Sequence, residues 1–184
     1  NEVKAGIKLQ LLTYMNEMCK QESAEPAGAF YYNLIEPMVK ASQNMSDEQI
    51  EEELRKQFKM RGLILADVDI IRKMDKNLDT GSSNIIPATI NKDETLSKKA
   101  SNISKQQFEY LQKYTNKIIK QISEEILSGN INIKPYYNTK NKKTPCEYCT
   151  YKSICQFGNG ICKKEYNYIS NLEKEAILEM MKEK

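Results

Sequence analysis

The sequence predicts an α+β fold, mainly α-helical, and three observations predict it. Two stretches, 4–20 and 105–128, repeat apolar residues at helical spacing over several turns. Short apolar or aromatic runs, too brief for helices, interrupt the helical stretches near 29–35, 62–66 and 85–90. The chain has 184 residues, enough for one ordinary domain with a core of useful size.

Taken in order, residues 4–20 read as a helix. Ile7, Leu11, Met15 and Met18 mark its apolar face, and Leu9 and Leu12 widen it. Pro26 and Gly28 punctuate the chain. Ala29 to Ile35 then reads as a buried, aromatic-rich strand that Glu36-Pro37 ends. Ser46 with Gln49 forms a capping box ahead of a charged helix running to about Lys59. Gly62 to Ala66 is a short apolar run. Asp67 can cap a further short helix carrying Val68, Ile71, Met74 and Leu78. Residues 79–103 are turn-rich, with a strand-like piece from Ile85 to Ile90. Ser104 and Gln107 open the clearest helix, which buries Phe108, Leu111, Ile118, Ile119, Ile122 and Ile126 and stops at Gly129. An extended piece through Ile131 and Ile133 to Pro135 leads into a basic loop and a cysteine cluster. Residues 170–182 form a last amphipathic helix.

Composition narrows the chemistry. Net charge is only +3, so charge alone does not argue for nucleic acid. Lysines are nevertheless bunched at Lys140, Lys142, Lys143, Lys152, Lys163 and Lys164. The chain has no His, which removes the commonest general base, Ser-His triads and His-ligated zinc. It contains no G-x-x-x-x-G-K-[ST] phosphate loop. No apolar run approaches the roughly 18 residues a membrane span needs. No signal peptide is recognisable, and the sequence reads as that of a soluble cytoplasmic protein. It starts at Asn1 rather than Met and reads as a piece of a longer protein.

Of the five cysteines, Cys146, Cys149, Cys155 and Cys162 fall within one short stretch, and Cys19 stands apart. An odd count without a secretory signal suits a reducing compartment and a metal site better than a disulfide framework. The stretch is Pro145-Cys146-Glu147-Tyr148-Cys149-Thr150-Tyr151-Lys152-Ser153-Ile154-Cys155-Gln156-Phe157. A C-x₂-C pair lets one tight turn aim two thiolates at one centre, and a third Cys, with five residues between, can reach it after another turn. Thiolate-rich sites select zinc or iron–sulfur clusters. Three readings stay open on spacing alone: unligated thiols in a loop, zinc on all four cysteines, and a 4Fe–4S cluster whose fourth ligand lies outside this chain.

The same stretch resembles the C-terminal cluster of the RecB-like PD-(D/E)XK nuclease family with iron–sulfur staples, in particular its branch of helicase–exonuclease B subunits. In that family three cysteines near the C-terminus join one far upstream and tie the two ends of the nuclease domain together. The resemblance carries over to Cys146, Cys149 and Cys155, and leaves Cys162 and Cys19 as ordinary thiols. Leu9-Gln10-Leu11-Leu12-Thr13-Tyr14 resembles the family's Q-x-x-x-Y motif, which implies that Gln10 and Tyr14 help hold DNA near the active site. Without the resemblance, a Gln and a Tyr four apart on a helix are ordinary surface residues. Phe30-Tyr31-Tyr32 is similar to the family's next core strand. Met60 to Asp67 and Ser97 to Ser101 are similar in style to the B-subunit branch.

The resemblance implies the distal part of a restriction-endonuclease-like (RecB-like) nuclease domain. Residues 1–135 would be the distal core with helical insertions, and 136–184 the cysteine segment and last helix. The parent would be a DNA-binding subunit of an ATP-dependent helicase–exonuclease, a hydrolase that processes double-strand breaks for recombinational repair. Its cofactors would be a 4Fe–4S cluster, Mg²⁺ and ATP. Its partners would be DNA ends and a second helicase–nuclease subunit, in a heterodimer with no membrane attachment. The family's catalytic Asp, Asp/Glu and Lys precede the Q-x-x-x-Y helix. The nine residues before Gln10 hold Glu2, Lys4 and Lys8 but no suitable Asp, so no catalytic residue is expected here and the chain alone is expected to be inactive. The carboxylates from Asp47 to Glu53 read as a solvated helix face. Two rivals stand beside this reading: a free-standing zinc-binding module for protein or nucleic-acid interaction, and a complete CRISPR-associated RecB-like exonuclease, which the missing carboxylates disfavour.

Overall fold

Local capping chemistry sets several of the helix boundaries. The structure, a computed structural model, describes residues 1–35, 37–38, 45–97, 100–157, 166–169 and 171–182. Its elements run α1 Gln10–Gln21, β1 Gly28–Tyr31, α2 Asp47–Phe58, β2 Arg61–Leu65, α3 Val68–Met74, β3 Gly81–Ser82, β4 Thr89–Ile90, β5 Asn102–Ile103, α4 Lys105–Leu127, β6 Tyr136–Asn138, a 3₁₀ turn Pro145–Tyr148, α5 Lys152–Cys155, β7 Asn167–Ile169 and α6 Lys174–Lys182. This is the helix-dominated α+β mixture that the sequence predicts.

The chain divides into two compact units, residues 14–109 and residues 1–13 with 110–184. In residues 14–109, β1 pairs antiparallel with β2, and β2 pairs parallel with β5. Ile64 of β2 is fully buried and packs in one cluster with Ile71, Leu78, Ile86, Ala88 and Ile90. Phe30, Met60, Val68 and Leu96 close over that cluster. Each fully buried isoleucine or leucine of the cluster contributes roughly 1.5–3 kcal/mol by leaving water. One polar staple sits among them. The Ser83 hydroxyl donates to the Asp75 carboxylate at 2.7 Å and accepts the Ile85 and Ile86 amides at 3.0 Å. It satisfies buried groups that would otherwise cost stability.

The caps follow the sequence. The Ser46 and Gln49 box is present in full, and the Asp67 carboxylate accepts from the amides of Asp69 and Ile70 at 2.9 and 3.1 Å. At Gly129 the backbone turns left-handed, with φ +71°. The Gly129 amide reaches the Ile126 carbonyl and the Asn130 amide reaches that of Glu125, the paired bonds of a Schellman ending.

Other boundaries differ from the sequence reading. The first helix begins at Gln10, not at residue 4. Gly6 and Lys8 both hold positive φ (+76° and +58°), and residues 1–7 close on themselves in turns. That segment is held by side chains instead: Tyr114 donates to the Lys4 carbonyl at 3.1 Å, and Asn1 exchanges two hydrogen bonds with the Leu172 backbone. The first strand stops at Tyr31, leaving Leu34 and Ile35 exposed. The strand-like piece at 85–90 keeps strand pairing only at Thr89–Ile90, because the Ser83 hydroxyl and the Met60 amide engage the backbone at Ile85 and Ile86. The short helix ends at Met74, where Asp75 turns out of helical geometry. The last helix starts at Lys174.

The long helix α4 carries the largest correction. Phe108 and Leu111 are buried as expected, with Thr115 between them and the next turn. Ile122 and Ile126, expected in the same buried stripe, are 41% and 70% exposed. Helical spacing places these residues on one stripe, but only tertiary neighbours decide whether it is covered. No helix among the described residues is long and apolar enough to cross a membrane.

Candidate functional site

Gln10 opens α1 and Tyr14 stands one turn further on, so both project from the same side of the helix. Both are exposed, Tyr14 to 60%, while Leu12 and Asn16 turn inward at 5% and 2%. Thr13 between them is committed to its own helix, its hydroxyl donating to the Leu9 carbonyl at 2.9 Å. The motif therefore carries its amide and its phenol on the exposed side of α1.

The cysteine segment is built from two consecutive tight turns. Thr144 caps the first, its hydroxyl oxygen accepting from the Cys146 amide at 3.4 Å. Cys146 lies in that turn and Cys149 ends it. The Cys149 carbonyl accepts the Lys152 amide at 3.2 Å, which starts the second turn, α5. Cys155 closes α5, and Gln156 ends it in left-handed geometry with φ +48°. Cys146 and Cys155 are half-buried, Cys149 is exposed, and all three are unbridged thiols. Their chemistry suits a thiolate-ligated metal. Their placement does not complete such a site: among the described residues no three Cys, Asp or Glu side chains converge to hold a metal ion. Cys162, Lys163 and Lys164 lie outside the described residues.

The acidic run on α2 is spent on the helix surface. Glu51 pairs with Arg55 at 2.6 Å, and Lys56 with both Glu52 and Glu53 at 3.3 and 2.8 Å. These exposed i,i+3 and i,i+4 pairs do not point into any common site.

The structure also assembles a group of residues that spacing did not single out. β6 and β7 pair in parallel, in a register that sets Tyr137 opposite Tyr168. Their rings stand 5.8 Å apart. Tyr166 joins them at 5.3 and 6.1 Å, and Phe157 packs on Tyr166 at 4.8 Å. Partial burial raises the Tyr166 phenol's pKa above its ordinary value, with smaller contributions from neighbouring Cys146, Tyr168 and Tyr137. The one available signal was the alternation Tyr166-Asn167-Tyr168, the pattern of an extended segment with both rings on one side, although β7 itself begins at Asn167.

Comparison with known proteins gives this geometry a context. Residues 1–156 match the model of the PD-(D/E)XK nuclease superfamily. The chain is 40% identical, over 98% of its length, to the B subunit of the ATP-dependent helicase/deoxyribonuclease of Thermoanaerobacter sp. (strain X514). It is 36% identical over 98% to the protein of that name from Acetivibrio thermocellus, and 37% identical over 99% to that of Bacillus thuringiensis (strain Al Hakam). In each case it spans 16% of the relative's own length.

Proposed function

The chain belongs to the PD-(D/E)XK nuclease superfamily, and from that membership we propose that it is the distal part of the nuclease domain in the B subunit of an ATP-dependent helicase–deoxyribonuclease. The observation that carries this reading is the identity with such B subunits sustained across nearly the whole chain. The parent acts on double-strand DNA ends in the cytoplasm, paired with a second subunit. It uses ATP for translocation and Mg²⁺ for phosphodiester hydrolysis.

In this reading the metal-binding carboxylates and the lysine of the nuclease come from sequence outside this chain. Residues 1–135 supply the distal core, and Gln10 and Tyr14 guide the DNA strand from the exposed side of α1. Residues 136–184 supply Cys146, Cys149 and Cys155 as three ligands of a 4Fe–4S cluster. The donor set supports that assignment: thiols at x₂ and x₅ spacing, in a chain with no His. The fourth ligand comes from elsewhere in the parent, and the cluster, when bound, serves as a staple between distant parts of the domain. A free-standing zinc module is the weaker alternative, because a self-contained module would not share its whole length with one part of much longer proteins.

The test is an exonuclease assay on linear duplex DNA with ATP and Mg²⁺, run on the full-length parent with its partner subunit and on this chain alone. The parent complex degrades the DNA and the chain alone does not. A parent complex that leaves linear duplex intact, or a chain that cleaves it unaided, overturns the assignment.

A further inference from the structure

We propose that the outward aromatic face of the β6–β7 sheet, formed by Tyr137, Tyr166 and Tyr168 with Phe157, is a stacking platform for the bases of single-stranded DNA. The inference rests on the DNA-processing role proposed above and adds a site and a strand preference to it.

The sheet has two unlike faces. Ile169 turns inward and is buried, while Tyr168, one residue before it, is 62% exposed. Tyr137 sits opposite Tyr168 in the parallel register, and Tyr166, the residue before β7, packs its ring against both; Tyr168 is the exposed ring of the three, and Tyr137 and Tyr166 are half-buried beside it. All the ring contacts are tilted or edge-to-face, with interplanar angles between 56° and 78°. Edge-to-face packing braces rings against one another without covering both π faces of each. An unpaired base can lie on a face left open in this way, whereas the bases of a duplex are already stacked and hidden.

Charge points to the same ligand. Residues 134–157 contain five lysines against one glutamate, so this segment is cationic in a chain whose net charge is only +3. Three of those lysines, Lys140, Lys142 and Lys143, are exposed on the turn that leaves β6, and Lys143 returns to pair with Asn138 at the end of the sheet. Lys152 is exposed on α5. Aromatic faces beside flexible ammonium groups are the combination that holds a single strand, with rings for bases and cations for phosphates. It carries no hydrogen-bonding code for base identity, so the platform tolerates any sequence.

The test uses the full-length parent with its partner subunit and measures fluorescence anisotropy at one fixed salt concentration. The probes are a fluorescein-labelled oligo(dT) and a strand of the same length made of abasic sugar-phosphate. The wild-type complex binds oligo(dT) at least about fivefold more tightly than the abasic strand. Tyr168→Ala narrows that margin, and Tyr168→Phe restores it. A margin unchanged in Tyr168→Ala overturns the platform. A second measurement does not depend on a variant folding. A strand carrying 5-iododeoxyuridine, photocrosslinked to the wild-type complex, marks Tyr137, Tyr166 or Tyr168. Crosslinks found only elsewhere overturn the proposal. A complex that binds duplex ends but shows no base-dependent margin sinks the platform alone, whereas one that binds no DNA of any kind sinks the proposed function with it.

Discussion

Gly62 lies so close behind Ala29 that a Cβ on Gly62 would fall 2.0 Å from the Ala29 carbonyl oxygen. The two residues are on adjacent antiparallel strands, with Gly62 opposite Phe30 and Ala29 opposite Leu63. Gly62 also holds φ +153°, a backbone state that side-chain-bearing residues rarely adopt. Gly62→Ala must therefore push β1 and β2 apart next to the fully buried Ile64. It should cost about 3 kcal/mol, read by urea unfolding. Gly81→Ala, where φ is +94° but no atom lies within 4 Å, should cost only about 1 kcal/mol of backbone strain. Equal losses at the two glycines would show that the close approach to Ala29 does not matter.

The capping box of α4 gives a second, smaller expectation. The Gln107 amide donates to the Ser104 hydroxyl oxygen at 3.2 Å, and the Ser104 amide donates to the Gln107 side-chain carbonyl at 2.8 Å. Ser104→Ala should destabilise by about 1 kcal/mol, and Ser104→Asp, which keeps an acceptor and adds a favourable charge at the helix start, by much less. Thermal melts of the two variants check this, and equal losses would refute the cap's role.

These caps were readable in the sequence because they are local: Ser46, Asp67, Ser104 and Gly129 each act within a few residues of themselves. The start of α1 was not readable. Its limit is set by positive φ at Gly6 and Lys8, and Lys8 carries no local signal for that geometry. The burial of α4 was read only in part, since the period of Ile118, Ile122 and Ile126 reports a stripe and not what covers it. The β6–β7 pairing joins residues about thirty positions apart and has no short-range signature, so the aromatic face went unseen. In the site, motif spacing led to Gln10, Tyr14 and the three cysteines through resemblance. Composition showed only that His chemistry is excluded.

If Gln10 and Tyr14 guide the DNA strand, Gln10→Ala and Tyr14→Phe should each lower nuclease activity of the parent complex by roughly tenfold while leaving ATP hydrolysis intact, since one hydrogen bond to a charged phosphate contributes about 1.5–3 kcal/mol. Both side chains are exposed, so both variants should still fold, which a thermal melt checks. Met18→Ala, on the same helix and 63% exposed, serves as the neutral control. Full nuclease activity in both variants would remove these residues from the site.

The central claim, that Cys146, Cys149 and Cys155 are cluster ligands, meets its most direct test in metal analysis of the full-length parent purified without oxygen. Iron, acid-labile sulfide and zinc are measured for the wild type, the three single Cys→Ser variants and Cys162→Ser. The account predicts about four iron and four sulfide per wild-type parent, loss of both in each of the three variants, and retention in Cys162→Ser. Zinc at about one per chain with no sulfide, or loss of metal on changing Cys162 alone, would contradict it.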